Sequence, residues 1–135
     1  MLVFPYDERF QNALNAISPN LSEDLHRAGN LSDADADGLV ALILEHACQC
    51  QNIRNIELGR EAAAELPRTW LLERIERIAA SQLDFDKDDY EYRRLLELSH
   101  SLDQQLFRRL VKRGLLSENA DVREAAHHFQ SVGWN

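Results

Sequence analysis

Cysteine is scarce in this chain: its 135 residues hold two, Cys48 and Cys50, only two positions apart. That spacing offers no disulfide framework. It favours a compartment that keeps thiols reduced, which is the cytoplasm. Proline is nearly as rare, at 5, 19 and 67, and each fits a boundary between elements rather than an interior. The five glycines lie scattered at 29, 38, 59, 114 and 133, so no glycine-rich phosphate loop is written here. The longest apolar run, Leu39 to Leu44, is far too short to cross a membrane. The opening Met1 to Glu8 has neither a basic n-region nor a cleavage pattern, so no secretory leader is expected. Sustained apolar–polar alternation with β-branched residues is also missing, which argues against a sheet. Lys and Arg number 15 against 23 Asp and Glu, a net charge of −8. A chain this acidic is not expected to bind nucleic acid through bulk charge.

What remains is material for helices. A chain of this length buries about two-thirds of its unfolded surface, enough for one self-sufficient domain over residues 1–135. Its composition, 44% hydrophobic and 28% charged, is that of a globular protein. The negative charge is lopsided: residues 1–67 carry eleven acids against four bases, and residues 68–135 twelve against eleven.

Phe10, Ala13, Leu14 and Ile17 recur at helical spacing and predict a first helix over Tyr6–Ile17, stopped by Ser18-Pro19-Asn20. A short helical turn at Ser22–Arg27 ends at Gly29-Asn30. Ser32 or Asp33 then caps a third helix, whose early acids suit the positive end of the helix dipole. From Leu39 to Cys50 this helix is apolar almost all round, which places it at the centre of the core. Ile53–Leu66 follows, with Gly59 inside it. Pro67 opens the next helix, in which Trp70, Leu71, Ile75, Ile78 and Ala79 recur up to Leu83. An acidic connector, Asp84 to Asp89, leads to Tyr90–Ser99. Leu102–Leu116 is the clearest amphipathic segment, with Leu106, Phe107, Leu110 and Val111 against Arg108, Arg109, Lys112 and Arg113. After a turn at Ser117–Ala120, Asp121–Val132 closes the chain. The expectation is all-α: seven or eight short helices whose brief loops make neighbours antiparallel.

Asp33-Ala34-Asp35-Ala36-Asp37-Gly38 opens like an EF-hand calcium loop, with acids at positions one, three and five and the glycine of the sharp turn. Position twelve must supply a bidentate carboxylate, and it holds Leu44. Glu45 comes one residue late, rotated by about 100° on a helix. The segment therefore reads as a helix start. A similar triplet, Asp84, Asp86 and Asp88, lies 51 residues on, but the sequences after the two triplets do not align as a repeat.

His46, Cys48 and Cys50 combine imidazole and thiols that zinc or copper would accept. On an α-helix, however, Cys48 would point about 160° from Cys50, and no second cysteine cluster completes a site. His127 and His128, with His100 or His26, follow no metal-site spacing. No GxSxG elbow occurs, and neither cysteine has a nucleophile context. No cofactor, metal or catalytic residue is assigned.

Glu118-Asn119-Ala120-Asp121-Val122-Arg123-Glu124-Ala125-Ala126 resembles the second helix of a HEAT-type repeat, with Asp121, Val122, Arg123, Ala125 and Ala126 matching the family pattern. Asp89 to Leu96 is a looser match one repeat earlier, so the resemblance covers roughly residues 68–132. It implies a HEAT-like α-solenoid fragment, with an irregular helical bundle as the alternative, and a binding scaffold rather than a catalyst. In such a repeat the Asp and Arg would tie the turn to a neighbouring repeat.

The basic cluster Arg108, Arg109, Lys112 and Arg113 is the candidate partner-binding site. Arg108–Lys112 and Arg109–Arg113 are like-charged pairs four apart, each mildly destabilising within a helix, and no acid lies between Asp103 and Glu118 to offset them. Either acids of neighbouring helices, such as Glu97 or Glu124, do so, or an acidic partner does. The leading reading is a non-catalytic protein-interaction module with an unknown protein partner and no membrane role. The alternatives are a small acidic inhibitor or immunity-type protein that masks a basic target, and a metal-binding or hydrolytic helical enzyme. The missing acid at position twelve gives the first prediction. Millimolar calcium should leave the melting temperature where magnesium leaves it; a rise of several degrees specific to calcium would restore the EF-hand reading.

Overall fold

The computed structural model describes residues 5–132, and the chain is all-helical. Met1–Phe4 of the leader reading and Gly133 lie outside the described residues. Among the described residues run seven α-helices: α1 (Pro5–Ile17), α2 (Asp33–Leu44), α3 (Ile53–Glu65), α4 (Arg68–Gln82), α5 (Asp89–Leu102), α6 (Gln104–Leu115) and α7 (Ala120–Ser131). Two 3-10 turns, Leu21–Glu23 and Leu25–Asn30, separate α1 from α2, and a π-turn, Glu45–Gln49, follows α2. No strand occurs among the described residues. The chain divides into two compact units, Met1–Ala79 and Ala80–Asn135.

In the first unit, side chains fix where the helices start. Ser32 Oγ accepts the Asp35 N–H at 3.2 Å, and Asn52 Oδ1 accepts those of Arg54 and Asn55 at 2.9 and 3.2 Å. These satisfy amides that a helix start leaves unpaired. Asn20, at φ 63°, turns the chain out of α1 in the left-handed region that asparagine tolerates. Pro67 stands just ahead of α4, its carbonyl accepting the Leu71 N–H at 3.0 Å.

α2 is central, as its all-round apolar character requires. Leu39, Val40, Ile43 and Leu44 are fully buried, and Leu42 is half-buried. The sequence predicts one helix to Cys50, but the α-helix ends at Leu44. The backbone there widens into the π-turn, closed by the Cys50 N–H on the Glu45 carbonyl at 3.0 Å. α3 packs on this stretch through Gly59. A Cβ there would stand 2.7 Å from Ala47 N and 3.0 Å from the Ile43 carbonyl oxygen. Two backbones touch where a side chain would otherwise stand, so glycine serves a close approach that outweighs its poor helix propensity.

Paired charges dress the outside of this unit. Arg54 forks onto Asp7 at 2.6 and 2.8 Å, and these hydrogen bonds hold the Asp7 carboxyl below the usual carboxylate range. Arg77 forks onto Asp37 at 2.9 and 3.2 Å, and Arg74 lies 3.5 Å from Asp33. Two acids of the calcium-like triplet thus answer arginines of α4.

The core and the glycine contact generate the second prediction. Ile43→Ala should cost about 2–5 kcal/mol in urea unfolding, and Leu42→Ala less. Gly59→Ala improves helix propensity by about 1 kcal/mol, but its methyl meets main-chain atoms that cannot swing aside, and overpacking costs about 1–3 kcal/mol. The net effect should be destabilising; a stabilised Gly59→Ala would show that α3 and the π-turn do not touch.

In the second unit α5, α6 and α7 pack on one another. The sequence reading ends one helix at Ser99 and begins the next at Leu102. Instead α5 runs through Leu102, and Asp103 alone makes the joint. Its N–H donates to the Ser99 carbonyl at 2.8 Å, and its Oδ2 accepts the Leu106 N–H at 2.9 Å. One residue therefore closes α5 and caps α6. Asn119 Oδ1 caps α7, accepting from Asp121 and Val122 at 2.9 and 3.1 Å.

Tyr92 is the largest fully buried side chain among the described residues. Its hydroxyl donates to the Leu110 carbonyl at 2.8 Å and rests against Gly114, where any Cβ would overlap it. Burial pushes the phenol pKa up, and a hydrogen bond from the Gly114 backbone only partly opposes this. The neutral phenol is thus favoured more in the folded chain than in the unfolded one. Its contribution is fully present below the ordinary phenol pKa of about 10 and is lost as pH rises above it. Stability should therefore fall more steeply above about pH 10 in the wild type than in Tyr92→Phe. Equal slopes in alkaline urea titrations would remove Tyr92 as the cause.

Candidate interaction surface

α6 is amphipathic in the sense the sequence predicts. Leu106, Phe107, Leu110, Val111 and Gly114 are buried, while Arg108, Arg109, Lys112 and Arg113 are all exposed. The four cations share one helix, but the fold treats them differently. Arg113 Nη2 donates to Asp86 at 3.2 Å, and its guanidinium lies over the Phe85 ring, 4.5 Å from the centroid. Arg109 also interacts within the chain. The side chains of Arg108 and Lys112 form no hydrogen bond or ion pair with any described residue.

The counter-charge for Arg113 comes from the acidic connector between α4 and α5. Glu97, the first acid expected to offset the cluster, holds Arg94 at 3.1 Å and makes a further interaction besides. The connector is pinned at both ends. Glu91 accepts the Asp84 N–H at 2.9 Å, and Asp88 Oδ1 caps α5 at the Glu91 N–H, 3.1 Å away. Between them Phe85 is buried and stacks on Tyr92, with centroids 6.4 Å apart. Ser117 Oγ donates to the Asp86 carbonyl and Asn119 Nδ2 to the Lys87 carbonyl, both at 3.1 Å.

The connector and the corner between α6 and α7 bound an open cleft of about 580 Å³, lined by Asp86, Lys87, Arg113, Leu116 and Glu118 among others. Leu116 is 81% exposed, the most exposed large apolar side chain among the described residues. In the sequence it marks only the end of a helix. Its signal was present: a leucine one turn beyond Lys112, on the side where the preceding residues are cations.

The residues weighed for metal chemistry fall in separate places. His46 Nδ1 lies 3.0 Å from the Leu42 carbonyl, and its ring is 4.7 Å from that of Phe10. Cys48 is buried and Cys50 half-buried; burial, with Glu45 nearby, pushes the Cys50 thiol up and favours its protonated form. The angular argument for these residues assumed a regular α-helix, and the π-turn replaces that geometry. His127 and His128 are exposed on α7, and His100 meets Phe107 edge-on at 5.1 Å. Among the described residues no group of three or more His, Cys, Asp or Glu is arranged to hold a metal ion. No helix among them is long and apolar enough to cross a membrane.

In residues 118–126, Val122, Ala125 and Ala126 are buried. Arg123 donates to the Ser117 carbonyl at 2.8 Å, so its bond is to its own turn. Comparisons with protein-family models, with curated proteins and with solved structures find no match to this chain.

Proposed function

We propose that this chain is a non-catalytic protein-interaction module of the cytoplasm, a HEAT-like helical scaffold in its second half, whose outer α6 face engages an acidic segment of a partner protein. The observation that carries this is the pair Arg108 and Lys112: exposed like charges one turn apart with no counter-charge among the described residues. Such a pair costs a helix a few tenths of a kcal/mol. A partner's carboxylates turn that cost into charge-assisted hydrogen bonds and faster encounter. A second reading, the small acidic inhibitor, draws on α3, where Glu57, Glu61 and Glu65 are exposed at four-residue spacing. Arg54 approaches only the first two.

The two kinds of cation on α6 make the test. Arg108→Glu/Lys112→Glu should leave urea stability within about 0.5 kcal/mol of wild type and abolish salt-sensitive capture of the native partner. Arg113→Glu should do the reverse, since it sets a carboxylate beside Asp86 and removes the cation over Phe85. A double mutant that still captures the partner at wild-type level would end the claim for this face. Binding lost instead on reversal of Glu61 and Glu65 would favour the inhibitor reading.

A further inference from the structure

We propose that the cleft at the C-terminal end of α6 receives one apolar side chain of the acidic segment, placed against Leu116, so that the partner is recognised by carboxylates followed by a hydrophobic anchor. This rests on the reading of α6 as a face for an acidic partner and specifies what that partner must carry.

Arg108, Lys112 and Leu116 stand four residues apart. The first two are exposed cations, and Leu116 is 81% exposed at the end of the same helix. An elongated ligand that follows the cations arrives at the leucine. The cleft around Leu116 is roughly neutral, because Lys87 and Arg113 stand against Asp86 and Glu118 and Arg113 is already paired with Asp86. The charge that selects the ligand therefore lies along α6, and the cleft offers shape and the exposed side chain of Leu116, its one apolar lining residue. Its walls are held in place before any ligand arrives: Ser117 and Asn119 fix the connector backbone, and Arg113 is held by Phe85 and Asp86. A preformed cleft spares the ordering cost of binding, and an apolar anchor in a pocket with a polar rim around it is a workable interface. A second copy of this chain docked symmetrically through the same face would set the α6 cations against each other. That repulsion disfavours such a pairing and favours an acidic segment as the occupant.

Two labelled synthetic peptides test the proposal: an acidic peptide with a single central leucine, and the same peptide with serine in its place. Binding to the full chain is followed by fluorescence anisotropy at low salt. The leucine peptide should bind about tenfold more tightly than the serine peptide. Leu116→Ser, at an exposed position that leaves the fold intact, should erase that preference and keep the salt dependence. Arg108→Glu/Lys112→Glu should weaken both peptides alike. Equal binding of the two peptides to wild type would overturn the anchor while leaving the acidic-partner reading standing. No binding of either peptide would overturn both. A wild-type chain that sediments as a dimer, with Leu116→Ser a monomer, would assign the cleft to a second copy and overturn the proposal.

Discussion

The Tyr92 hydroxyl, held between the Leu110 carbonyl and Gly114, sets the second unit. A buried phenol without a partner costs as much as a lost buried hydrogen bond, so its donor must find an acceptor, and the acceptor is main chain of α6. That bond fixes how α6 is rolled about its axis. With Leu110 and Gly114 turned to Tyr92, Leu106, Phe107 and Val111 face inward with them, and Arg108 and Lys112 face out. Phe85 stacks on the Tyr92 ring and carries Arg113 over its own. The buried tyrosine thus bears on which cations of α6 are engaged within the fold and which stand exposed.

The first unit rests on a contact of another kind. α3 approaches the end of α2 until Gly59 meets the backbone of Ala47 and Ile43, in the stretch where the α-helix gives way to a π-turn. Around this point the interior is largely aliphatic, with Phe10 and Cys48 buried among it, while the pairs on the outside are partly exposed. Exposed pairs of that kind contribute little to stability, so packing and the close approach hold this unit more than Arg54 or Arg77 does.

Much of the architecture was legible in the sequence. Every predicted helix appears, because apolar residues at three- and four-residue spacing report the buried face directly. Of the two caps expected for α2, Ser32 or Asp33, the structure uses Ser32. The errors are local. Leu102 fits the apolar stripe of either α5 or α6, and only the backbone shows that Asp103 is the joint. The π-turn leaves no mark in the pattern of Glu45–Gln49, so the directions assigned to His46, Cys48 and Cys50 on an ideal helix do not apply. The four cations of α6 read as one cluster, since sequence gives their face but not their partners. Asp86 is 27 residues from Arg113, and no periodicity links them. The cleft beside Leu116 is likewise built from two stretches that only folding brings together.

The two buried glycines leave this protein's descendants different freedoms. Gly114 is opposed by a side chain. A lineage that acquires a larger residue there can recover by shrinking Tyr92, giving up the phenol's hydrogen bond as it does so. The two positions are expected to drift as a linked pair, volume exchanged for volume. Gly59 is opposed by main-chain atoms, which every amino acid carries. No second substitution at Ala47 or Ile43 makes room for a side chain, so position 59 is closed to drift while α3 and the π-turn keep their present distance. In any set of related sequences, an invariant glycine at 59 beside a covarying pair at 92 and 114 would be the trace of this difference.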